Sequence, residues 1–421
     1  METVHAAMAE LIRVDEARTR IVGLAGRLEP RPVPLDDALR LVLSNDVVAG
    51  RTLPGFDNSA MDGFAVRAAD TRGASEGAPV RLELSGEVAA GGAVPPAGLA
   101  PRCAIRVMTG AGMPAGADAV VEVERTALEG AEVLVRLEVE AGRSIRRAGD
   151  DIRPGDLALG AGTLLGPPQL ALLAALGQTQ PLCIPRPRVA VLATGDELVD
   201  PAVEPGPGQV TDIVSTAIAA AVTEAGGTAL VMRRAADTEA DVRRAFAEAS
   251  ADGADLVVSV GGVSMGEYDQ VRRVMEAEGH LDFWRVAMRP GKPLAVGEVG
   301  GRLVVGLPGN PVSALVGFEV FVLPAITALS GRGGWARPRA LCRLKERVDS
   351  PAGLRTFVRA RVERTAEGLE ATPLGGQGSH QLRAMASANA LLDVAEEVET
   401  LAAGEPVTAL LLDHPVAPAA G

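Results

Sequence analysis

The chain has 421 residues, of which 47% are hydrophobic and 23% charged, and its formal net charge at pH 7 is −13. At about 100–200 residues per domain, this length predicts two to four domains, and the composition is typical of a folded globular protein. The acidic balance, with no basic cluster to offset it, argues against a nucleic-acid-binding protein.

The sequence predicts neither a membrane span nor a secretion signal. The longest apolar stretch, residues 314–330, contains Glu319 and Pro324 and is expected to form a buried helix. The N-terminal residues are acidic and lack an apolar segment. The cysteines form no paired motif, so we expect buried thiols in a reducing compartment, the cytoplasm. They are Cys103, Cys183 and Cys342.

The N-terminal part of the chain changes character twice. Residues 1–50 predict a helix, a loop interrupted by prolines, and a second helix over residues 35–43. Short alternating runs then follow between Gly/Pro-rich turns, such as VRLEL (80–84) and EVLVRLEV (132–139), and they predict an all-β unit. Residues 150–177 return to turns and a helix. A β domain is therefore expected to be inserted in this region.

The next part predicts a parallel α/β domain. Its apolar runs lie at 188–193, 228–232, 255–260 and 303–307, and helical stretches are expected at 215–225, 239–249 and 270–278. Apolar strands that alternate with helices indicate a parallel sheet covered on both faces. After residues 331–334, alternating runs such as TFVRARVE (356–363) and PVTALLL (406–412) predict a small C-terminal β domain.

Polar or turn-forming residues follow each strand of the predicted parallel sheet. Ligands bind outside the carboxyl ends of such strands, so these residues should share one rim. They are Thr194, Gly195, Asp196 and Glu197 after the first strand, Asp237 after the second, Gly261, Gly262, Ser264 and Asp269 after the third, and Pro308, Gly309, Asn310 and Pro311 after the last.

The residue types on this rim suit a phosphate and a divalent cation. Glycines let backbone N–H groups approach an anion closely, so GGVS (261–264) predicts a phosphate cradle, although a tight strand-to-helix turn is an alternative. Mg²⁺ uses one or two protein carboxylates, and the candidates are Glu197, Asp237 and Asp269. Each carboxylate alone could equally be a helix cap or a solvated surface group.

A second anion-binding element is the turn Arg289-Pro-Gly-Lys292-Pro. Its two prolines and glycine hold two cations on a stiff turn, which suits a tetrahedral oxyanion. A plain surface hairpin is the alternative. Only two of the 41 basic residues are lysines, Lys292 and Lys345.

Seven segments in order resemble the molybdopterin molybdenumtransferases, the MoeA family, which includes the C-terminal domain of gephyrin. They are FDNSAMDGFA (56–65), VMTGAGMPAGADAVV (107–121), RRAGDDIRPGD (146–156), TGDEL (194–198), SVGGVSMGEYD (259–269), MRPGKPLAVG (288–297) and GLPGNPVSA (306–314). The resemblance covers nearly the whole chain.

This resemblance implies a fold of four domains. A discontinuous N-terminal domain (1–52 and 143–182) would carry an inserted β domain (53–142). A three-layer parallel α/β domain of the molybdopterin-binding type (183–332) and a C-terminal β-barrel (333–421) would follow. The resemblance also implies a homodimer in which the inserted domain of one chain completes the active site of the other, and it leaves room for other proteins of the cofactor pathway as partners.

The implied reaction inserts molybdate into adenylylated molybdopterin, with Mg²⁺ as cofactor and release of AMP. The resemblance assigns residues to three roles. The catalytic set would be Asp62, Thr109, Glu197, Asp237, Asp269, Pro308 and Pro311. Of these, Glu197, Asp237 and Asp269 would also bind the metal. Molybdate would bind Arg289, Lys292, Arg359 and Ser379. The phosphate and pterin would bind Thr194, Gly195, Gly261, Gly262, Ser264 and Asn310.

Two positions depart from the family pattern, and two rival functions share some of the motifs. Arg289 stands where the family often has lysine, and Val214 stands where it usually has asparagine near Asp212. The α/β module also occurs in pyrophosphatases that act on damaged nucleotides, and gephyrin also serves as a scaffold. The SAMDG block and the barrel argue against the first rival, and the acidic rim with its cationic turn argues against the second.

Overall fold

A computed structural model describes residues 11–231, 234–263, 270–332 and 337–412, apart from the side chains of 231, 283 and 284. These residues divide into two compact units. The first takes in the described parts of Met1–Arg31, Arg40–Val42 and Leu182–Gly421, and the second takes in Pro32–Leu39 and Leu43–Pro181. Three short strands occur where the chain passes from one unit to the other, at Arg31–Pro32, Val42–Leu43 and Leu182–Ile184.

The second unit is built on a six-stranded sheet. In spatial order its strands are Ala119–Glu122, Gly63–Val66, Cys103–Val107, Val80–Val88, Glu132–Val135 and Thr126–Glu129. Alternate residues cover its two faces, because Phe64 and Val66 pack in one apolar cluster and Ala65 in another. An inserted all-β segment was predicted from the alternating runs, and the structure agrees with that prediction.

Smaller elements complete this unit. The helix Pro167–Ala175 and the 3₁₀ helices Leu35–Asp37, Ala68–Thr71 and Val123–Arg125 are accompanied by two short antiparallel pairs. These pairs join Val47–Val48 to Leu157–Leu159 and Asn58–Ser59 to Ile145–Arg146.

The prediction of a second N-terminal helix over residues 35–43 is wrong. The 3₁₀ helix ends at Asp37, and Arg40 adopts a left-handed φ of 65°, which interrupts any helix. Leu41, Val42 and Leu43 are then buried in succession. Three consecutive buried residues do not lie on one helix face, whereas an extended chain enclosed on both sides can bury them.

The first unit contains the predicted three-layer α/β arrangement. Four neighbouring strands of its sheet are parallel, in the spatial order Thr228–Val231, Arg188–Ala193, Leu256–Val260 and Arg302–Leu307. The sheet is nevertheless mixed, since Pro293–Val299 and then Gly279–Arg285 add two antiparallel pairings beside the last parallel strand. The prediction of a purely parallel sheet missed these two strands, although Leu294, Ala295 and Val296 form a short buried apolar run.

Helices cover both faces of this sheet. One apolar cluster joins Val189 and Val191 of the sheet to three helical segments, Val14–Ala25, Val214–Glu224 and Pro311–Leu329. Glu239–Ala251 and Gln270–Glu278 share another with Ala190 and Leu192. The alternation of side chains along one strand therefore divides the core between two layers.

One helical stretch among the described residues is long and apolar enough to cross a membrane. It is Pro311–Leu329, which comprises two α-helices, Pro311–Gly317 and Leu323–Leu329, joined by a π-helical turn at Phe318–Val322. Of this stretch 78% is buried inside the fold, and Phe318 and Phe321 are completely buried. It is a core helix, as the sequence predicts.

The C-terminal part of the first unit is a closed five-stranded barrel. Its strands pair in the ring Arg355–Thr365, Gly368–Pro373, Arg339–Leu344, Pro406–Leu411 and Ala390–Val394, and the last pairs again with the first. The strand Met288–Arg289 adds to Arg355–Thr365 in parallel. A short pair, Val348–Asp349 with Thr400–Leu401, and the helix Leu382–Ser387 lie outside the ring. The fold class predicted from the sequence is confirmed.

Candidate active site

The carboxyl ends of the parallel strands open into a cleft of about 660 Å³. The position agrees with the rule that ligands of open α/β sheets bind beyond these strand ends. Most of the residues predicted from the strand ends line it, namely Thr194, Gly195, Glu197, Asp237, Gly261, Gly262, Pro308, Asn310 and Pro311. Two of the predicted rim residues, Ser264 and Asp269, lie outside the described residues.

The floor of the cleft is a tight glycine turn against Thr194. Gly261 has a φ of 88°, and a Cβ there would lie 2.6 Å from the Thr194 carbonyl oxygen. Its N–H donates to the carbonyl oxygen of Leu307 at 3.0 Å, so Gly261 shapes the turn but does not offer this donor to an anion. The Gly261 N–H is therefore used within the turn, and the phosphate cradle at 261–264 stays a prediction.

Thr194 supplies a feature that the sequence does not reveal. The residue is 5% exposed, and its Oγ1 is buried without a hydrogen-bond partner among the described residues. A hydroxyl left unsatisfied in this way costs free energy, and such groups recur at functional sites. Because the hydroxyl hydrogen turns freely about the Cβ–Oγ1 bond, this donor can be directed at a phosphate on the glycine turn.

Three carboxylates crowd one side of the cleft. The N–H of Asp237 donates to Asp196 Oδ1 at 3.1 Å. Burial, followed by repulsion from Asp196 and Glu197, raises the pKa of Asp237 above its ordinary value. The Glu197 carboxylate folds back over Gly195, where a Cβ would lie 2.7 Å from Oε2. Asp196 was predicted on this rim, but it was not among the carboxylates predicted to bind the metal.

This crowding fits a divalent cation. Charges that destabilise one another are stabilised together when a cation lies between them, and Mg²⁺ needs only one or two protein carboxylates because it keeps several waters. Glu197 and Asp237, with Asp196 beside them, would hold it. Among the described residues no three His, Cys, Asp or Glu side chains form a complete metal cluster.

Another part of the cleft, next to Glu197, is apolar. The strands Leu198–Val199 and Val210–Thr211 pair there, and Val210 and Ile213 are 50% and 39% exposed. Asp212 also lines the cleft, but its Oδ1 is already used, because it accepts from Ser215 N at 3.0 Å in the first turn of the helix that begins at Val214. Exposed aliphatic side chains in a cleft suit the face of a flat ring. Sequence reasoning missed them because it searched for polar groups.

The turn 289–293 borders a second pocket of about 360 Å³, here called the cationic pocket. Arg289, Lys292, Gln377 and Ser379 are among its lining residues. Among the described residues neither Arg289 nor Lys292 forms an ion pair, and both are exposed. The pocket shares Pro293 and Ser313 with the cleft, so the two sites adjoin.

Arg359 is not on the surface of this pocket, although the resemblance implies that it binds molybdate. It is completely buried, and its Nη2 donates to the carbonyl oxygens of Gly376 at 2.6 Å and Gly378 at 3.3 Å. Burial lowers the pKa of its guanidinium. The structure therefore places Arg359 behind the loop that carries Ser379, while Ser379 itself lines the pocket.

In the second unit, Asp62 and Thr109 lie in contact. Asp62 Oδ1 accepts from the Thr109 N–H at 2.7 Å and from Oγ1 at 2.9 Å. These bonds, backbone donor first, lower the pKa of Asp62 below its ordinary value and keep the exposed carboxylate ionised. The resemblance grouped these two residues, and the structure brings them together.

Three sequence families match consecutive parts of the chain. They are the MoeA N-terminal region (domain I and II) over residues 12–177, a probable molybdopterin binding domain over residues 190–328, and the MoeA C-terminal region (domain IV) over residues 342–412. Together they cover all of the segments on which the resemblance was based.

Relatives of known name are similar over nearly their full length. Molybdopterin molybdenumtransferase 2 of Mycobacterium tuberculosis is 41% identical over 397 residues, which are 93% of this chain and 97% of that protein. Molybdopterin molybdenumtransferase of Haemophilus influenzae is 34% identical over 96% of this chain and 99% of its own. The crystal structure of a molybdopterin biosynthesis moea protein from Pyrococcus horikosii has a TM-score of 0.78 at 32% identity, covering 96% of this chain and 100% of that one.

Proposed function

The chain belongs to the MoeA family of molybdopterin molybdenumtransferases, and on that basis we propose that it inserts molybdenum from molybdate into adenylylated molybdopterin. The dithiolene sulfurs would replace oxygens of molybdate, and hydrolysis of the pyrophosphate link would free AMP. This would be the final step of molybdenum-cofactor synthesis, and it would depend on Mg²⁺.

The observation that carries this proposal is the shared wall between the two sites. The acidic cleft and the cationic pocket meet at Pro293 and Ser313. A substrate that carries a pyrophosphate can occupy the cleft, while an oxyanion lies beside it among Arg289, Lys292 and Ser379. Neither a nucleotide pyrophosphatase nor a scaffold needs a second anion pocket in this position.

The chain's own residues would act mainly by electrostatics and positioning. Thr194 would donate its hydroxyl to a phosphate oxygen, and the apolar wall at Val210 and Ile213 would hold a ring of the substrate. Lys292 and Arg289 would stabilise an oxyanion whose charge changes during the reaction. Mg²⁺ held by Glu197 and Asp237 would neutralise the pyrophosphate.

The decisive experiment incubates the purified chain with adenylylated molybdopterin, MgCl₂ and molybdate, and it measures AMP and pterin-bound molybdenum. We expect both products, and we expect neither when Mg²⁺ is chelated. Faster turnover of ADP-ribose than of adenylylated molybdopterin would instead support a nucleotide pyrophosphatase. Normal molybdoenzyme activity in cells that lack the gene would support a scaffold.

We also propose that the active enzyme is a homodimer in the cytoplasm, where it could meet other proteins of the pathway. Three free cysteines without a disulfide suit a reducing compartment. The residues Asp62 and Thr109 would complete the cleft of the partner chain. Mixing inactive Asp62→Ala chains with inactive Asp237→Asn chains should restore activity, because one hybrid cleft keeps both carboxylates. No recovery after demonstrated subunit exchange would mean that each site is built within one chain.

A further inference from the structure

Arg359 is a buried cation that no carboxylate contacts among the described residues. Its Nε and Nη1 are buried without a hydrogen-bond partner there, and its Nη2 alone is satisfied, by Gly376 and Gly378. An uncompensated buried charge costs free energy unless an anion compensates it. The carbonyl oxygens that hold Arg359 belong to the loop 374–381, which follows the strand Gly368–Pro373.

Gln377 ties this loop to the backbone of Arg359. Its Oε1 accepts from the Arg359 N–H at 3.1 Å, and its Nε2 donates to the Arg359 carbonyl oxygen at 3.0 Å and to that of Leu374 at 2.7 Å. The neighbouring strand ends at Pro373, opposite Ala360. In the next step of the β-ladder the Leu374 N–H donates to the Arg359 carbonyl oxygen at 2.9 Å, and the Gln377 amide completes that step by bridging the Arg359 N–H and the Leu374 carbonyl oxygen.

The same loop is tied to the rim of the cleft. The carbonyl oxygen of Ser379 accepts from Val312 N at 3.3 Å, in the first turn of the helix Pro311–Gly317. The N–H of Gly378 donates to Gln381 Oε1 at 2.7 Å. The loop thus spans from the buried arginine to the strand-end loop of the cleft, and Gln377, Gly378 and Ser379 line the cationic pocket on the way.

We propose that Gln377 is a positioning residue of the cationic pocket. Its amide holds the loop so that Ser379 faces the oxyanion and the charge of Arg359 acts from behind the loop carbonyls. This inference rests on the proposed function, because it takes molybdate as the oxyanion. It predicts that Gln377 controls molybdate binding without touching the pterin substrate.

The chain contains a matched control for this test. Asn389 clamps the same barrel strand three residues away, accepting from Val362 N at 2.7 Å and donating to the Val362 carbonyl oxygen at 2.8 Å. Asn389 is not among the lining residues of the cationic pocket. Gln377→Ala and Asn389→Ala each remove one two-way amide clamp, so a merely structural role predicts the same effect for both.

The experiment compares Gln377→Ala, Gln377→Met and Asn389→Ala with the unaltered chain. Calorimetry with molybdate alone gives Kd, AMP-release kinetics separate the two KM values from kcat, and thermal unfolding checks the fold. We expect both Gln377 variants to raise the Kd and KM for molybdate at least about 10-fold, the scale of a small misplacement at a reaction site, with the KM for adenylylated molybdopterin nearly unchanged. Asn389→Ala should change the Kd less than about twofold.

Met keeps the length of Gln377 without its hydrogen bonds, so it remains informative if the alanine variant does not fold. Equal effects of the Gln377 and Asn389 variants on molybdate, or normal molybdate binding by Gln377→Met, would overturn this inference and leave the proposed function intact. If the unaltered chain bound no molybdate and released no AMP, the proposed function would fail and this inference with it.

Discussion

Replacing Thr194 with valine should stabilise the free protein and weaken its binding of phosphate. The side chain is 5% exposed and its Oγ1 has no partner among the described residues, so the hydroxyl is buried at a cost. An unsatisfied hydroxyl costs about 1–3 kcal/mol, and valine keeps the shape without the polar atom. We expect a gain of about 1 kcal/mol in the free energy of unfolding, the lower end of that range.

The same substitution removes a donor that the phosphate of the substrate would use. A hydrogen bond to a charged group contributes about 1.5–3 kcal/mol, which corresponds to roughly 10–150-fold in Kd. The assay pairs urea unfolding of the free chain with calorimetric titration of AMP. We expect the unfolding midpoint to rise while AMP binding weakens.

Ser259→Ala is the control for this prediction. Ser259 is completely buried, its Oγ also lacks a partner among the described residues, and it does not line the cleft. Its loss should stabilise the chain to a similar degree and leave AMP binding unchanged. Destabilisation by Thr194→Val, or AMP affinity equal to that of the unaltered chain, would refute the reasoning.

Three further predictions concern other parts of the site. Asp237→Asn should lower activity yet stabilise the chain at pH 7 by about 1 kcal/mol or less. Because the pKa of Asp237 is higher in the folded chain than its ordinary value of 3.8, ionisation destabilises the fold at neutral pH, and this cost is absent below pH 3.8. The difference in urea midpoint between the variant and the unaltered chain should therefore vanish below that pH, and a difference that stays constant with pH would contradict this. Lys292→Arg should weaken molybdate binding at least about 10-fold in calorimetry, because a broad planar group replaces a compact one on a rigid turn, whereas Lys345→Arg should behave like the unaltered chain. Gly261→Ala should lower the Tm more than Gly253→Ala. Both glycines have left-handed φ values, 88° and 72°, so alanine costs about 1–2 kcal/mol of stability at either position, but only at Gly261 would the added Cβ meet a backbone oxygen at 2.6 Å. Equal Tm losses would argue against a crowded turn.

Much of the fold could be predicted because the signals are local. Apolar runs at 188–193 and 255–260 indicated strands, and the helix at 270–278 has the predicted bounds. The parallel arrangement then placed Thr194 and Gly261 on one rim before any coordinates were considered. Seven motifs in order were enough to predict the family.

The errors arose where local patterns are ambiguous. Leucines and valines over 35–43 have helical spacing, but Arg40 takes a left-handed conformation and the residues after it are extended. The antiparallel strands Pro293–Val299 and Gly279–Arg285 were missed because hydrophobic alternation does not say which neighbour a strand will pair with.

The sequence by itself determined the class of the α/β and β domains, the family, and the convergence of the strand-end residues. Only the tertiary structure decided which polar groups have partners. It showed that Thr194 Oγ1 lacks one, that the Gly261 N–H is already used by Leu307, and that Arg359 lies behind the loop of Ser379. The physical reason is that hydrogen-bond and charge partners are chosen by distances of a few ångströms in space, and residues such as Arg359 and Gly376 reach those distances only when the barrel has closed.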